Sequence, residues 1–257
     1  MFVVVLSIAL IGYVVFIIQN VAFLQLPFHQ NTGIVTSSMF HLVGLVLIVQ
    51  DSYWMGPLLG LGGVALLLVW VSVLLSAKMK TLQPALLSMA VIFLAFGLLS
   101  PNVPMVGVSK SVWIGLHLML ILSGYVACII AGILGGAYLF VRTRLKSKDL
   151  KGLSKYPPLK TLADYNMLLL WIGLSGLSTG VLAGLLWAAS NSVDFQWDGT
   201  VWATFALLFW YACGLVAHYT LRNERWSAWF SIGGVCSLVV FFFLSAIIGE
   251  WHLGGLL

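Results

Sequence analysis

The chain has 257 residues, is 61% hydrophobic and only 7% charged, and has a mean hydropathy of +1.09. Soluble domains carry about 25% charged residues, so this composition excludes a soluble fold and indicates a polytopic membrane protein. The net charge of +5 falls in a few loops. That pattern reports membrane topology and argues against a nucleic-acid partner, which needs a basic face on a folded domain.

In chain order the apolar runs are roughly Phe2–Phe23, Val35–Val49, Leu58–Leu75, Ala85–Leu99, Val112–Val141, Asn166–Ala189, Val201–Leu221 and Trp229–Trp251. Each is read as a span of about 30 Å of hydrocarbon. Prolines 27, 57, 84, 101, 104, 157 and 158 punctuate the breaks. The first run lacks a preceding basic residue and is expected to be a retained span, not a signal peptide. The expected class is an all-α, polytopic integral membrane helical bundle of about eight transmembrane helices. Residues 1–257 are expected to form a single transmembrane domain, with four N-terminal helices in 1–110 and a core in 111–257.

Eleven of the twelve Lys and Arg lie in odd-numbered loops: Lys78 and Lys80, the seven from Arg142 to Lys160, then Arg222 and Arg225. Only Lys110 breaks the pattern. The positive-inside rule puts the odd loops in the cytoplasm and both termini outside. The basic segment between the fifth and sixth spans is expected to lie against lipid headgroups. Cys128, Cys213 and Cys236 sit inside apolar runs without C-x-x-C spacing, and read as small buried hydrophobes. Gly173, Gly176, Gly180 and Gly184 in the sixth span, and Gly132 and Gly136 in the fifth, have the small-xxx-small spacing of close helix packing. Trp113, Trp187, Trp197, Trp226, Trp229 and Trp251 fall at span ends, as an interfacial belt requires.

His29 lies in the first cytoplasmic loop, whereas His41, His117, His218 and His252 fall within or at the ends of spans. Ionisable groups in hydrocarbon are costly and face a partner or a cavity. At a helical rise of 1.5 Å per residue, His41 is ~9 Å and His218 ~6 Å from the cytoplasmic face. His117 is ~8 Å from the outer face, and His252 ends the last span at the same side. The depths suggest one imidazole pair near each face. Paired imidazoles on facing helices suit haem iron, which takes two axial ligands. They suit zinc poorly, because no third or fourth ligand lies at matching depth beside His41 and His218.

Trp197 and Asp198 stand in an outer loop that opens the seventh span. The indole offers a flat apolar face. Asp198 could orient a ligand imidazole or cap the following helix. Phe195, Trp202, Trp210 and Tyr211 either wall a porphyrin or face lipid, and the sequence leaves both open.

The segment Trp197-Asp198-Gly199-Thr200-Val201-Trp202-Ala203 resembles the W-D-P-K-E-T-W-A end of the tryptophan-rich loop in cytochrome c assembly proteins, the CcsA/HemX-type members of the WWD-domain superfamily. His218 before Arg222-Asn223-Glu224-Arg225-Trp226 is similar to that family's histidine near a Gly-Trp-Arg-like segment. Phe241-Phe242-Phe243 leading to His252, and His117 followed by Leu120 and Tyr125, are similar to two further family helices. His41 matches the N-terminal helices of the HemX-type branch. The resemblance covers most of the chain, above all Val112–His252. It implies haem b bound by His41 and His218 at an inner site, and by His117 and His252 at an outer site beside Trp197, Asp198 and Trp202. The chain departs from the pattern in lacking the tryptophans before Trp-Asp, the Pro-Lys-Glu, and a large outer domain.

The expected function is therefore haem b binding and delivery across the cytoplasmic membrane for cytochrome c maturation, without lyase activity of its own. The expected partners are haem, a second membrane subunit with an outer domain, apocytochrome c and the bilayer. A membrane b-type cytochrome and a regulatory membrane protein of haem biosynthesis are alternatives. A polar pore is disfavoured, since no charged ring lies within the spans.

Overall fold

The computed structural model describes residues 2–21, 30–50, 57–75, 80–99, 112–190 and 199–248. Among them the chain is all-helical, with eight long helices and no strand. These are α1 (Phe2–Val21), α2 (Gln30–Gln50), α3 (Pro57–Leu75), α4 (Gln83–Leu99), α5 (Val112–Lys146), α6 (Leu159–Ser190), α7 (Gly199–Leu221) and α8 (Glu224–Ile248). The expected helical membrane bundle is what forms. By length and composition α5, α6 and α7 are long and apolar enough to cross a membrane, and α1 to α4 hold shorter apolar stretches.

The chain divides into two compact units, α1 to α4 and α5 to α8. In the first, the buried residues recur at three- and four-residue steps. Leu61, Val64, Ala65, Leu68 and Ser72 line α3, and Leu86, Leu87, Ala90, Phe93 and Leu94 line α4. One stripe of each helix therefore packs inward. Lipid tails are as apolar as leucine, so association rests on close packing. Small residues permit it here: Gly12 packs against Ser37, Gly44 against Leu6, and Gly62 against Leu45.

In the second unit α5 is central. Its most apolar window is 61% buried, against 28% for α6 and for α7. One face of α5 meets α6, where Gly173 lies on Cys128, Gly176 on Gly124 and Gly180 on Ile121. Further along α5 the same stripe also meets α8, where Gly132 packs on Val235 and Gly135 on Ala228. Gly136 has open space around it, so the expected Gly132–Gly136 pair is in fact Gly132 with Gly135. Aromatic rings of α7 fill the glycine notches of α8, Trp210 at Gly233 and Tyr211 at Gly234. The outward side chains are apolar, among them Leu168, Trp171, Ile172, Phe209 and Val216. So large an apolar exterior suits lipid, not water.

Two connections differ from expectation. The loop after α5 is shorter, because α5 runs to Lys146 and α6 starts at Leu159. Lys148 closes α5 in the left-handed region at φ 56°. Its N–H bonds Leu145 O at 3.2 Å, and Asp149 N–H bonds Arg144 O at 3.1 Å, a Schellman closure. An Arg144–Asp149 ion pair seals it. Between α7 and α8 only Arg222 and Asn223 intervene. Arg222 turns the chain at φ 47°, and Asn223 caps α8 by accepting from Arg225 N–H at 3.0 Å. This tight hairpin starts α8 five residues before the expected Trp229 and sets the end of α7 against its first turns.

Candidate functional site

His41 is fully buried within the first unit. Its Nδ1 lies 3.2 Å from the hydroxyl of Tyr13, itself fully buried on α1. Nε2 faces the backbone of Gly62 on α3, and no well-formed hydrogen bond reaches it. A Cβ added at Gly62 would lie 3.7 Å from that nitrogen. Because α2 begins at Gln30, His41 stands eleven residues into the helix and nine from its end. The apolar run had placed it closer to one end.

His117 is half-buried near the start of α5. Its Nδ1 lies 2.7 Å from the carbonyl oxygen of Gly180 on α6. A carbonyl only accepts, so Nδ1 carries the hydrogen and the lone pair of the neutral ring lies on Nε2. Gly184, one turn along α6, leaves the space the ring occupies: a Cβ there would sit 2.7 Å from Nδ1.

His218, also half-buried, stands three residues before the end of α7. Its Nδ1 is 3.3 Å from Oγ of Ser227, in the first turn of α8. Ser227 donates its hydroxyl hydrogen to Glu224 O at 2.9 Å. Behind it Ser231 donates to Ser227 O at 2.8 Å, and Asn166 of α6 donates to Ser231 Oγ at 2.9 Å and to Ala131 O of α5 at 2.6 Å. This polar thread through three helices is buried. Asn166 and Ser227 carry no sequence signal beyond being polar in apolar helices.

Helix order sets His117 and His218 at opposite ends of the second unit. Along the antiparallel α5–α6 pair, Gly184 meets His117 and Gly173 meets Cys128. Along α7–α8, His218 meets Ser227, and Trp210 meets Phe230 and Gly233 nearer the other end. His41 belongs to the first unit. His252, Trp197, Asp198 and Phe195 lie outside the described residues; α7 begins at Gly199, directly after Asp198.

A groove of about 240 Å³ opens between α5, α7 and α8, near the beginning of α7. Tyr125, Thr204, Leu207, Trp210, Ser237 and Phe241 are among its lining residues. Trp210 donates its indole N–H to Phe230 O at 2.8 Å, which fixes the ring at the groove edge. Trp202 is 61% exposed and does not line the groove, while Tyr211 is fully buried.

Imidazole is the donor type that haem iron takes. Each of the three described histidines within the helices has Nδ1 within hydrogen-bond distance of a neighbour, as metal-ligating histidines commonly do. The fold is that of a helical membrane protein with three imidazoles, His41, His117 and His218, held among its helices. The chain belongs to the cytochrome c assembly protein family, whose model matches residues 8–252, and with that family goes a role in cytochrome c maturation. No curated protein and no solved structure matches the chain.

Proposed function

We propose that this protein binds haem b and delivers it across the cytoplasmic membrane for cytochrome c maturation, as a HemX-like component without lyase activity of its own. The observation that carries the reading is the shared set of anchored imidazoles, His41, His117 and His218, in a member of a cytochrome c assembly family. When bound, haem would supply a redox-active iron that accepts imidazole ligands. The chain's own residues do the rest. His41, His218, His117 and His252 would be the iron ligands. Tyr13, Gly180 and Ser227 orient the rings. The groove beside Trp210 and Phe241 offers an apolar wall near the beginning of α7.

The orientation follows from the basic loops: odd loops in the cytoplasm, the Trp-Asp loop outside. A second membrane subunit with an outer domain would receive the haem and present it to apocytochrome c. The test is exchange. Purified protein loaded with haem is mixed with excess apo-acceptor, and the haem left on the chain is measured. Delivery requires that haem leave within the experiment. Haem held permanently at a fixed potential would instead identify an electron-transferring b-type cytochrome, and absence of haem a regulatory protein.

A further inference from the structure

We propose that Ser227 is a positioning residue that fixes the tautomer of His218, with Asn166 and Ser231 holding Ser227 in place. This rests on the reading of His218 as an iron ligand.

Ser227 has one hydroxyl hydrogen, and it is spent on Glu224 O at 2.9 Å. Toward His218 the Oγ can then only accept. The Nδ1 at 3.3 Å must therefore carry the ring hydrogen, and Nε2 the lone pair. Ser227 is 1% exposed, so water does not compete for that oxygen.

The same logic runs down the thread. Ser231 spends its hydrogen on Ser227 O, so its Oγ accepts from Asn166. Asn166 spends both amide hydrogens, on Ser231 Oγ and on Ala131 O. Every donor has one destination, and the order of donors and acceptors admits a single direction. The thread pins the first two turns of α8 to α5 and α6. The two-residue hairpin at Arg222 and Asn223 pins the end of α7 to the same turns. His218 thus meets a hydroxyl that can neither rotate its hydrogen toward the ring without losing Glu224 nor move away with its helix.

The experiment uses full-length protein in lipid nanodiscs, labelled with ¹⁵N-histidine, with the His218 signals assigned by their loss in His218→Ala. Haem-free wild type should show a protonated Nδ1 and a bare Nε2. Ser227→Val removes the hydroxyl, has the same branched shape as the Ser227→Thr control, and should shift the ring toward the Nε2–H form. Ser227→Thr, which keeps the hydroxyl, should retain the wild-type pattern. Haem affinity should fall about 10–100-fold in Ser227→Val and hold in Ser227→Thr. A His218 tautomer unchanged by Ser227→Val, or a Ser227→Thr protein that behaves like Ser227→Val, overturns the proposal. If His218→Ala leaves haem binding intact, it is the iron-ligand reading that fails, and the proposal as a statement about a ligand falls with it. The tautomer signals of the haem-free protein separate the two failures.

Discussion

His117 occupies the notch left by Gly184. A methyl at position 184 would stand 2.7 Å from the ring nitrogen that hydrogen-bonds Gly180 O, also at 2.7 Å. The glycine spacing of α6 thus serves two purposes, since Gly173, Gly176 and Gly180 bring α5 close while Gly184 admits the imidazole.

Gly184→Ala should push His117 off the Gly180 carbonyl. Cytochrome c maturation, measured as covalent haem in an acceptor, should fall about 10–100-fold, as when a group orienting a metal ligand is lost. Gly136→Ala is the control. Open space surrounds Gly136, so this change should leave maturation unaltered.

Removing the Tyr13 hydroxyl should loosen the hold on His41. In Tyr13→Phe, Nδ1 of His41 loses its partner at 3.2 Å in a site closed to water. Bound haem per protein should drop, by less than in His41→Ala, which removes the ligand. Soret absorbance against protein concentration reads both.

Asn166 ties α6 to α5 and α8 with two hydrogen bonds. Interhelical hydrogen bonds in membranes average about 0.6 kcal/mol each. Asn166→Ala should therefore destabilise the protein by about 1 kcal/mol and lower its melting temperature by a few degrees. The lone acceptor Oδ1, buried without a partner among the described residues, keeps the cost from being larger.

The α7–α8 hairpin gives a pair of opposite effects. Asn223→Ala loses the cap on Arg225 N–H and should cost about 1 kcal/mol. Arg222→Gly relieves a side chain held at φ 47° and should stabilise the hairpin by about 1 kcal/mol. Thermal melts of the two variants should move in opposite directions.

The helical membrane class was legible because length and hydropathy decide it, and the ends of α1, α3, α4, α5 and α7 fall within two residues of the apolar runs, but for the polar extension of α5 to Lys146. The inward faces were not. When every side of a helix is apolar, periodicity carries no contrast, and only polar or small residues mark an interior. Gly173, Gly176 and Gly180 gave that signal and do pack inside. The start of α2 was misplaced because Gln30, Asn31 and Thr32 look like loop, yet they continue the helix and move His41 toward its middle. Tyr13, Asn166 and Ser227 are not legible in the sequence, because a hydrogen bond between distant helices leaves no trace in spacing. Trp197, Asp198 and His252 lie outside the described residues.

The visible spectrum of the purified protein, oxidised and dithionite-reduced, tests the central claim most directly. Bis-imidazole haem should give a Soret band and a sharp reduced α band, weakened in His41→Ala and His218→Ala but retained in His117→Ala and His252→Ala. A protein that takes up no haem, or equal haem in the wild type and all four variants, would contradict the account.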